Sequence, residues 1–269
     1  TYLASAISDY ALVCRARGDS AKAENLFRQV LEIADESKMP VQYKLGSLAL
    51  LSLTLTDQGK FDEAEKFFRQ SIEVLREQSA VETTQMGNLH TGLGSVLSEK
   101  GNLAEAESNL KEAEGIYRKL QNPNSVPIFD NLRLQSQVLY FSGKFTEAEK
   151  LINQVLEGYD KNSSPKYINY ANALTIKGLT LNKLGKSEEA EKLLRQAVQL
   201  RIETLPPNHF MTALTKSALG EVLTDRKNLT EAEPLLRESY ESLKNSQGAE
   251  NPRTLLAKSR LEKFGQLNK

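Results

Sequence analysis

The sequence has a single cysteine, Cys14, and only two histidines, His90 and His209, set far apart along 269 residues. One cysteine excludes an internal disulfide, and two isolated histidines give no metal-ligand spacing, so neither a metal nor another cofactor is expected. Net charge is missing as well: 35 Lys and Arg stand against 35 Asp and Glu. A neutral chain lacks the long-range field that gathers polyanions, so no nucleic-acid partner is expected. No stretch approaches the roughly 18 consecutive apolar residues that span a bilayer, and no basic segment leads into an apolar run at the N-terminus. Membrane insertion is therefore not expected, and a reducing, cytoplasmic setting fits. The chain begins at Thr1 rather than Met, which suggests a fragment or processed product.

Catalytic constellations are equally scarce. His90 lies within a helical segment and His209 sits in PPNHF just ahead of one, with no third group to orient either and no oxyanion donor to name. The run Gly92 to Gly94 is half of a dinucleotide fingerprint, without the strand that must precede it. The glutamates are dispersed and form no convergent acid pair. The expectation is a chain that is not an enzyme.

What is present is repetition. One phrase is written six times: GDSAKAE from Gly18, GKFDEAE from Gly59, GNLAEAE from Gly101, GKFTEAE from Gly143, GKSEEAE from Gly185 and KNLTEAE from Lys227. The offsets are 41, 42, 42, 42 and 42 residues, a period that signals a repeat architecture. Each phrase separates two segments with apolar residues at helical spacing. Leu48, Leu51 and Leu55 precede Gly59, and Phe61, Ala64, Phe68, Ile72 and Leu75 follow it. The unit is a helical hairpin that turns at the glycine, where a Cβ is disfavoured. Lys227 breaks this rule, which predicts a strained or differently shaped sixth turn. Asp62, Thr146 and Thr230 each precede a Glu by three residues, the spacing of a capping box.

Alanine stands five residues after every turn residue (Ala23, Ala64, Ala106, Ala148, Ala190, Ala232), which predicts a close helix crossing. A glutamate follows each alanine, and Arg28, Arg69, Lys111, Arg195 and Arg237 follow five of these glutamates by four residues. The row reads either as a charged recognition stripe or as pairs that support an exposed helix face. Pro234 falls inside the first turns of a helix, where a lost amide hydrogen bond carries a cost.

The turn glycine, the Ala-Glu pair and a small residue seven positions before the turn (Ala11, Ser52, Gly94, Ser136, Gly178, Gly220) together resemble the tetratricopeptide repeat family, in its 42-residue form found in kinesin light chains. The stretch from Leu205 to Gly265, with EAEPLLRESYESL and AENPRT, is similar to the terminal repeats of bacterial serine/threonine kinases. The resemblance implies an all-α fold: a superhelical solenoid of six antiparallel helix pairs plus a C-terminal capping helix. As a single domain over residues 1–269, its pairs fall at about 2–36, 43–78, 84–120, 127–160, 166–204 and 209–245, with the cap at about 252–264. Breaker clusters at Pro40, Asn122 to Pro127, Ser163 to Pro165, Pro206 to Asn208 and Asn251 to Pro252 separate the hairpins.

The resemblance further implies that the first helix of each pair lines a concave groove. Relatives of the kinesin light chain type carry asparagines ten and nine residues before the turn. Here those places hold no asparagine, which argues against an extended peptide clamped by its backbone. The expected groove residues are apolar at Leu12, Leu50, Leu53, Leu134, Ile176, Leu179 and Tyr140, and polar at Asp9, Arg15, Asn88, Arg133, Gln137, Asn172 and Asn182. An apolar stripe of this kind suits a protein or peptide partner, an amphipathic helix above all, unless the same residues turn into the contact with the next repeat. Arg133 is the natural anchor for a charged ligand, with Tyr140 seven residues later on the same helical face. The functional expectation is an interaction scaffold or sensory module, as in the regulatory part of a bacterial signalling kinase. The alternatives are a self-associating structural module, forming a homo-oligomer, and a small-ligand sensor.

Overall fold

The computed structural model describes residues 2–161 and 168–267, which leaves the Ser163 to Pro165 cluster outside the described residues. Among the described residues there are thirteen α-helices and no strand. They form six antiparallel pairs and a last helix, in two compact units.

The first unit, Thr1–Pro123, holds α1 (Tyr2–Ala16), α2 (Ser20–Glu36), α3 (Val41–Asp57), α4 (Phe61–Glu77), α5 (Thr84–Glu99) and α6 (Leu103–Leu120). The second, Asn124–Lys269, holds α7 (Val126–Phe141), α8 (Phe145–Lys161), α9 (Ile168–Lys183), α10 (Ser187–Thr204), α11 (Phe210–Asp225), α12 (Leu229–Gln247) and α13 (Pro252–Leu267). Within a unit each helix packs on the next in sequence, and first helices also touch one another: α3 meets α5, α7 meets α9, α9 meets α11, and α11 meets α13.

The repeated phrase accounts for this packing. The six alanines have no exposed surface. A Cβ added at Gly94, Gly178 or Gly220 would lie 2.7, 2.8 or 2.7 Å from Cγ of Leu110, Leu194 or Leu236, so these first helices lie directly against their partners. Gly92 is filled from the other side, since a Cβ there would sit 2.4 Å from Phe68 Cζ. The glycines near Gly92 are therefore packing residues.

All five turn glycines have positive φ, between 73° and 82°. Lys227 adopts the same conformation at φ 62°, so the sixth turn keeps its shape and imposes the strain on a side-chain-bearing residue. The capping boxes do not form. Lys60 and Asn228 are the N-caps of α4 and α12 and make no side-chain cap, and α8 already begins at Phe145. Asp62, Thr146 and Thr230 thus stand inside the helices, two residues past the cap position. Among the second helices, Asp19 does cap α2, accepting from Lys22 N at 3.3 Å.

The charged row is an inter-repeat ladder. Arg28, Arg69 and Arg195 each bind the glutamate four residues earlier and reach the next pair, at Glu63 (2.6 Å), Glu105 (2.7 Å) and Glu231 (2.7 Å). In return, Lys60, Lys100 and Lys186 beside the following turn bind Glu24 (2.7 Å), Glu65 (2.7 Å) and Glu149 (2.8 Å), and Arg226 binds Glu191. Burial pulls the Glu24 carboxyl upward, but Lys60, Gln58 and Arg28 outweigh it and hold it below its ordinary range. Lys100 does the same for Glu65, and Arg195 for Glu231.

In the second unit α12 runs through Pro234 without ending. On α13, Phe264 enters the cluster of Leu219, Val222 and Leu236, while Ala257 joins Phe210 and Leu243. This helix closes the last pair's core against water.

Candidate functional site

The residues proposed from sequence to line a groove lie on first helices, but they differ in what they offer. In the first unit Asp9 and Leu12 are exposed on α1, and Leu50 and Leu53 are half-buried on α3. Arg15 is held by Asp57 at 2.6 Å and ties α1 to α3. Asn88 is exposed on α5 and accepts a hydrogen bond from Tyr117 Oη at 2.7 Å.

In the second unit Leu134 and Ile176 are buried, at 7% and 8% exposure. Packing of α7 on α9 and of α9 on α11 withdraws them from the surface, so neither is open to a partner. Asn182 is also buried; it donates to Asp225 at 2.7 Å and accepts from Ser187 at 2.6 Å. Leu179 is half-buried against the cluster around Leu181 and Leu219. Tyr140 packs its ring at a tilt against Phe141 and Phe145, and burial pushes its hydroxyl up to about 12, with the charge of Glu221 adding to it. Arg133, Gln137 and Asn172 remain half-buried.

One regularity organises the polar residues. Sixteen residues after the turn, the second helix carries Ala34, Leu75, Tyr117, Tyr159, Arg201 and Leu243 in the six pairs, all of them buried. Thirteen residues before the turn, the first helix carries Asn88, Asp130 and Asn172 in the third, fourth and fifth pairs. In each of those pairs the second helix donates to the first: Tyr117 to Asn88, Tyr159 to Asp130, and Arg201 Nη2 to Asn172 Oδ1 at 2.6 Å. A polar group on the first helix is thereby fixed from behind.

In the second unit these groups converge. Asp130 accepts from Tyr159 and from Asn169 at 2.8 Å; burial raises its carboxyl above the ordinary range, against the pull of Tyr159, Arg133 and Asn169. The Tyr159 hydroxyl is pushed up in turn, by burial and then by the Asp130 charge. Arg201 is 3% exposed, and its Nε and Nη1 find no hydrogen-bond partner among the described residues; nor does Arg133 Nε. Burial, and then the like charge of Arg133, hold the Arg201 guanidinium down at about 10. Arg133 was named from the sequence. Arg201 was not, because it sits on a second helix, but its signal was present: it alone carries a charge in a column of otherwise uncharged residues.

A second polar group stands nearer the turns. Glu221 receives Lys183 at 3.1 Å and Arg260 at 2.7 Å, and Asp225 receives Lys263 at 2.8 Å. Burial pulls the Glu221 carboxyl upward, and Arg260 and Lys183 more than reverse it. The Arg260 and Lys263 pairs fasten α13 to α11, and the Lys183 pair ties α9 to α11.

Both histidines make contacts within the fold. His90 is buried with Nδ1 2.8 Å from Asn109 Oδ1, and His209 Nδ1 accepts from Met211 N at 3.2 Å to cap α11. Among the described residues no cluster of His, Cys, Asp or Glu is arranged to hold a metal, and no helix is long and apolar enough to cross a membrane.

The MalT-like TPR region family matches residues 3–199, and a tetratricopeptide repeat family matches residues 169–245. The chain belongs to the tetratricopeptide repeat (TPR) family. No curated protein matches it. Solved TPR structures share the fold at low identity. NprR, crystallised with its cognate peptide NprX, is 17% identical, with a TM-score of 0.75 over 100% of this chain and 75% of that one. A Rap protein complexed with competence and sporulation factor is 14% identical, with a TM-score of 0.68 over 97% and 74%. BtubC from P. vanneervenii, of the bacterial kinesin light chain type, is 20% identical, with a TM-score of 0.59 over 73% and 79%. The TPR repeats of this chain thus place a row of oriented polar groups on the first-helix face of the second unit.

Proposed function

We propose that this chain is a non-catalytic interaction module that takes a peptide segment of a partner on the first-helix face of its second unit. The observation that carries the reading is the set of half-buried polar side chains there, Asp130, Arg133, Gln137 and Asn172, two of which are fixed from behind by Tyr159 and Arg201. Oriented polar groups of both kinds suit a peptide, whose own donors and acceptors need partners. NprR is described with a cognate peptide and Rap with a sporulation factor, and that likeness of fold supports a peptide ligand. The burial of Leu134 and Ile176 withdraws two of the apolar side chains that would have favoured an amphipathic helix on the second unit. A place within a larger bacterial signalling protein, such as a serine/threonine kinase, is part of the same proposal and predicts a catalytic domain on the same polypeptide.

Selection of random peptides on the full chain tests the reading. Peptides that bind are expected to lose affinity on the order of tenfold when Gln137 and Asn172 are both replaced by Ala. Unchanged affinity would overturn it.

A second reading, self-association, draws on α1, where Tyr2, Leu3 and Val13 are 94%, 65% and 47% exposed. It predicts a sedimentation coefficient that rises with concentration; a constant monomer value excludes it.

A further inference from the structure

We infer that Arg201 and Arg133 form a carboxylate-binding subsite, which seats one acidic group of the ligand; this rests on the peptide-binding reading and deepens it. Arg201 occupies a packing position. The other five pairs fill it with Ala, Leu or Tyr, residues that bury there at little cost. A guanidinium in the same place gives up its hydration, and among the described residues it recovers a single hydrogen bond, from Nη2 to Asn172. Nε and Nη1 are buried without a partner among the described residues. Among the described residues no carboxylate pairs with Arg201, and the like charge of Arg133 acts on it.

A buried cation without a counter-ion is an arrangement that packing alone would eliminate, because leucine fills the volume more cheaply. An arriving anion reverses this balance. It finds donors already in place and strengthened by the low local dielectric. Access is from the first-helix face, where Arg133 and Asn172 each keep part of their surface in solvent.

Charge count selects the type of anion. The two arginines contribute two positive charges, and Asp130, engaged by Tyr159 and Asn169, contributes one negative. One further negative charge neutralises the cluster. A carboxylate supplies it, whereas a dianionic phosphate overshoots and meets Asp130 as a like charge. The carboxylate can belong to a chain end or to an acidic side chain of the peptide.

The test begins with thermal unfolding of the full chain in chloride, acetate and phosphate at matched ionic strength. Acetate is expected to raise the midpoint of the wild type saturably above chloride and more than phosphate does. Arg201→Leu is expected to unfold at a higher temperature than wild type in chloride and to lose the acetate response. Arg133→Gln, a change at a half-buried position, is expected to keep the fold and lose the same response. Equal midpoints in acetate and chloride, a larger response to phosphate, or a response that survives in both variants would each overturn the subsite.

Peptides from the selection then identify the carboxylate. Either C-terminal amidation or replacement of one acidic residue by its amide should weaken binding on the order of tenfold. Selected peptides that tolerate both changes and bind Arg201→Leu equally well would refute the subsite while leaving peptide binding intact. Acetate protection with no peptide selected would support the subsite and count against the peptide.

Discussion

At the scale of single residues, the departures from the repeat are more informative than its agreements. Lys227 holds the left-handed turn that glycine holds five times. Its Cβ carries a steric cost of about 1–2 kcal/mol, and glycine would return part of that as unfolded-state entropy. Lys227→Gly is therefore expected to raise stability by up to about 1 kcal/mol, read as a higher urea midpoint with an unchanged slope. Arg201 is the other departure. The column it interrupts is visible in the sequence once the six phrases are superimposed, yet its meaning depends on a structural fact, that this column points at the first helix thirteen residues before the turn. Periodicity places a residue on a face and does not say which neighbour's side chain meets it there. The same limit explains Leu134 and Ile176, which share the first-helix layer with open positions but fall where neighbouring helices touch.

Between helices, the turn glycines, the alanine column and the small residue before the turn were readable because each answers a single local steric demand. The glycine at the small position meets the Leu four residues beyond the alanine almost directly. Gly220→Val should therefore force Leu236 or the helix to move and destabilise the chain by about 1–3 kcal/mol, measurable by denaturant unfolding. The capping boxes were misread for an equally physical reason: the Schellman-like turns start the second helices one residue earlier than the Asp or Thr, so those side chains lie past the cap. Asp62 instead accepts from Lys100 at 2.5 Å, in the next pair. The glutamate ladder has a pH signature. Glu24, Glu65 and Glu231 have folded-state carboxyls below their ordinary range, so their contribution is complete above the unfolded glutamate value of about 4.3 and is lost as pH falls from there through the lower folded-state values. Asp130 has the opposite sign, since burial raises its carboxyl and protonation favours the folded form. Urea midpoints between about pH 7 and about pH 3 are expected to hold and then fall, with Asp130 offsetting part of the loss.

For the whole molecule, two compact units share one repeat and differ in what their first helices present. The first unit's first helices carry Leu12, Leu50 and Leu53 beside the exposed Asp9 and Asn88. The second unit carries the polar cluster around Arg133 and Arg201. Fold class followed from the period, the helical spacing of the apolar residues and the resemblance to the tetratricopeptide repeat that they carry; the location of the site did not, because charge buried within a helix pair leaves no mark on overall composition or net charge. The central claim is that ligand recognition belongs to the first helices of the second unit. Hydrogen exchange of the full chain, with and without a selected peptide, tests it most directly. Slowed exchange at α7 and α9 is the predicted result, and protection confined to α1 or to the second helices α8, α10 and α12 would contradict it.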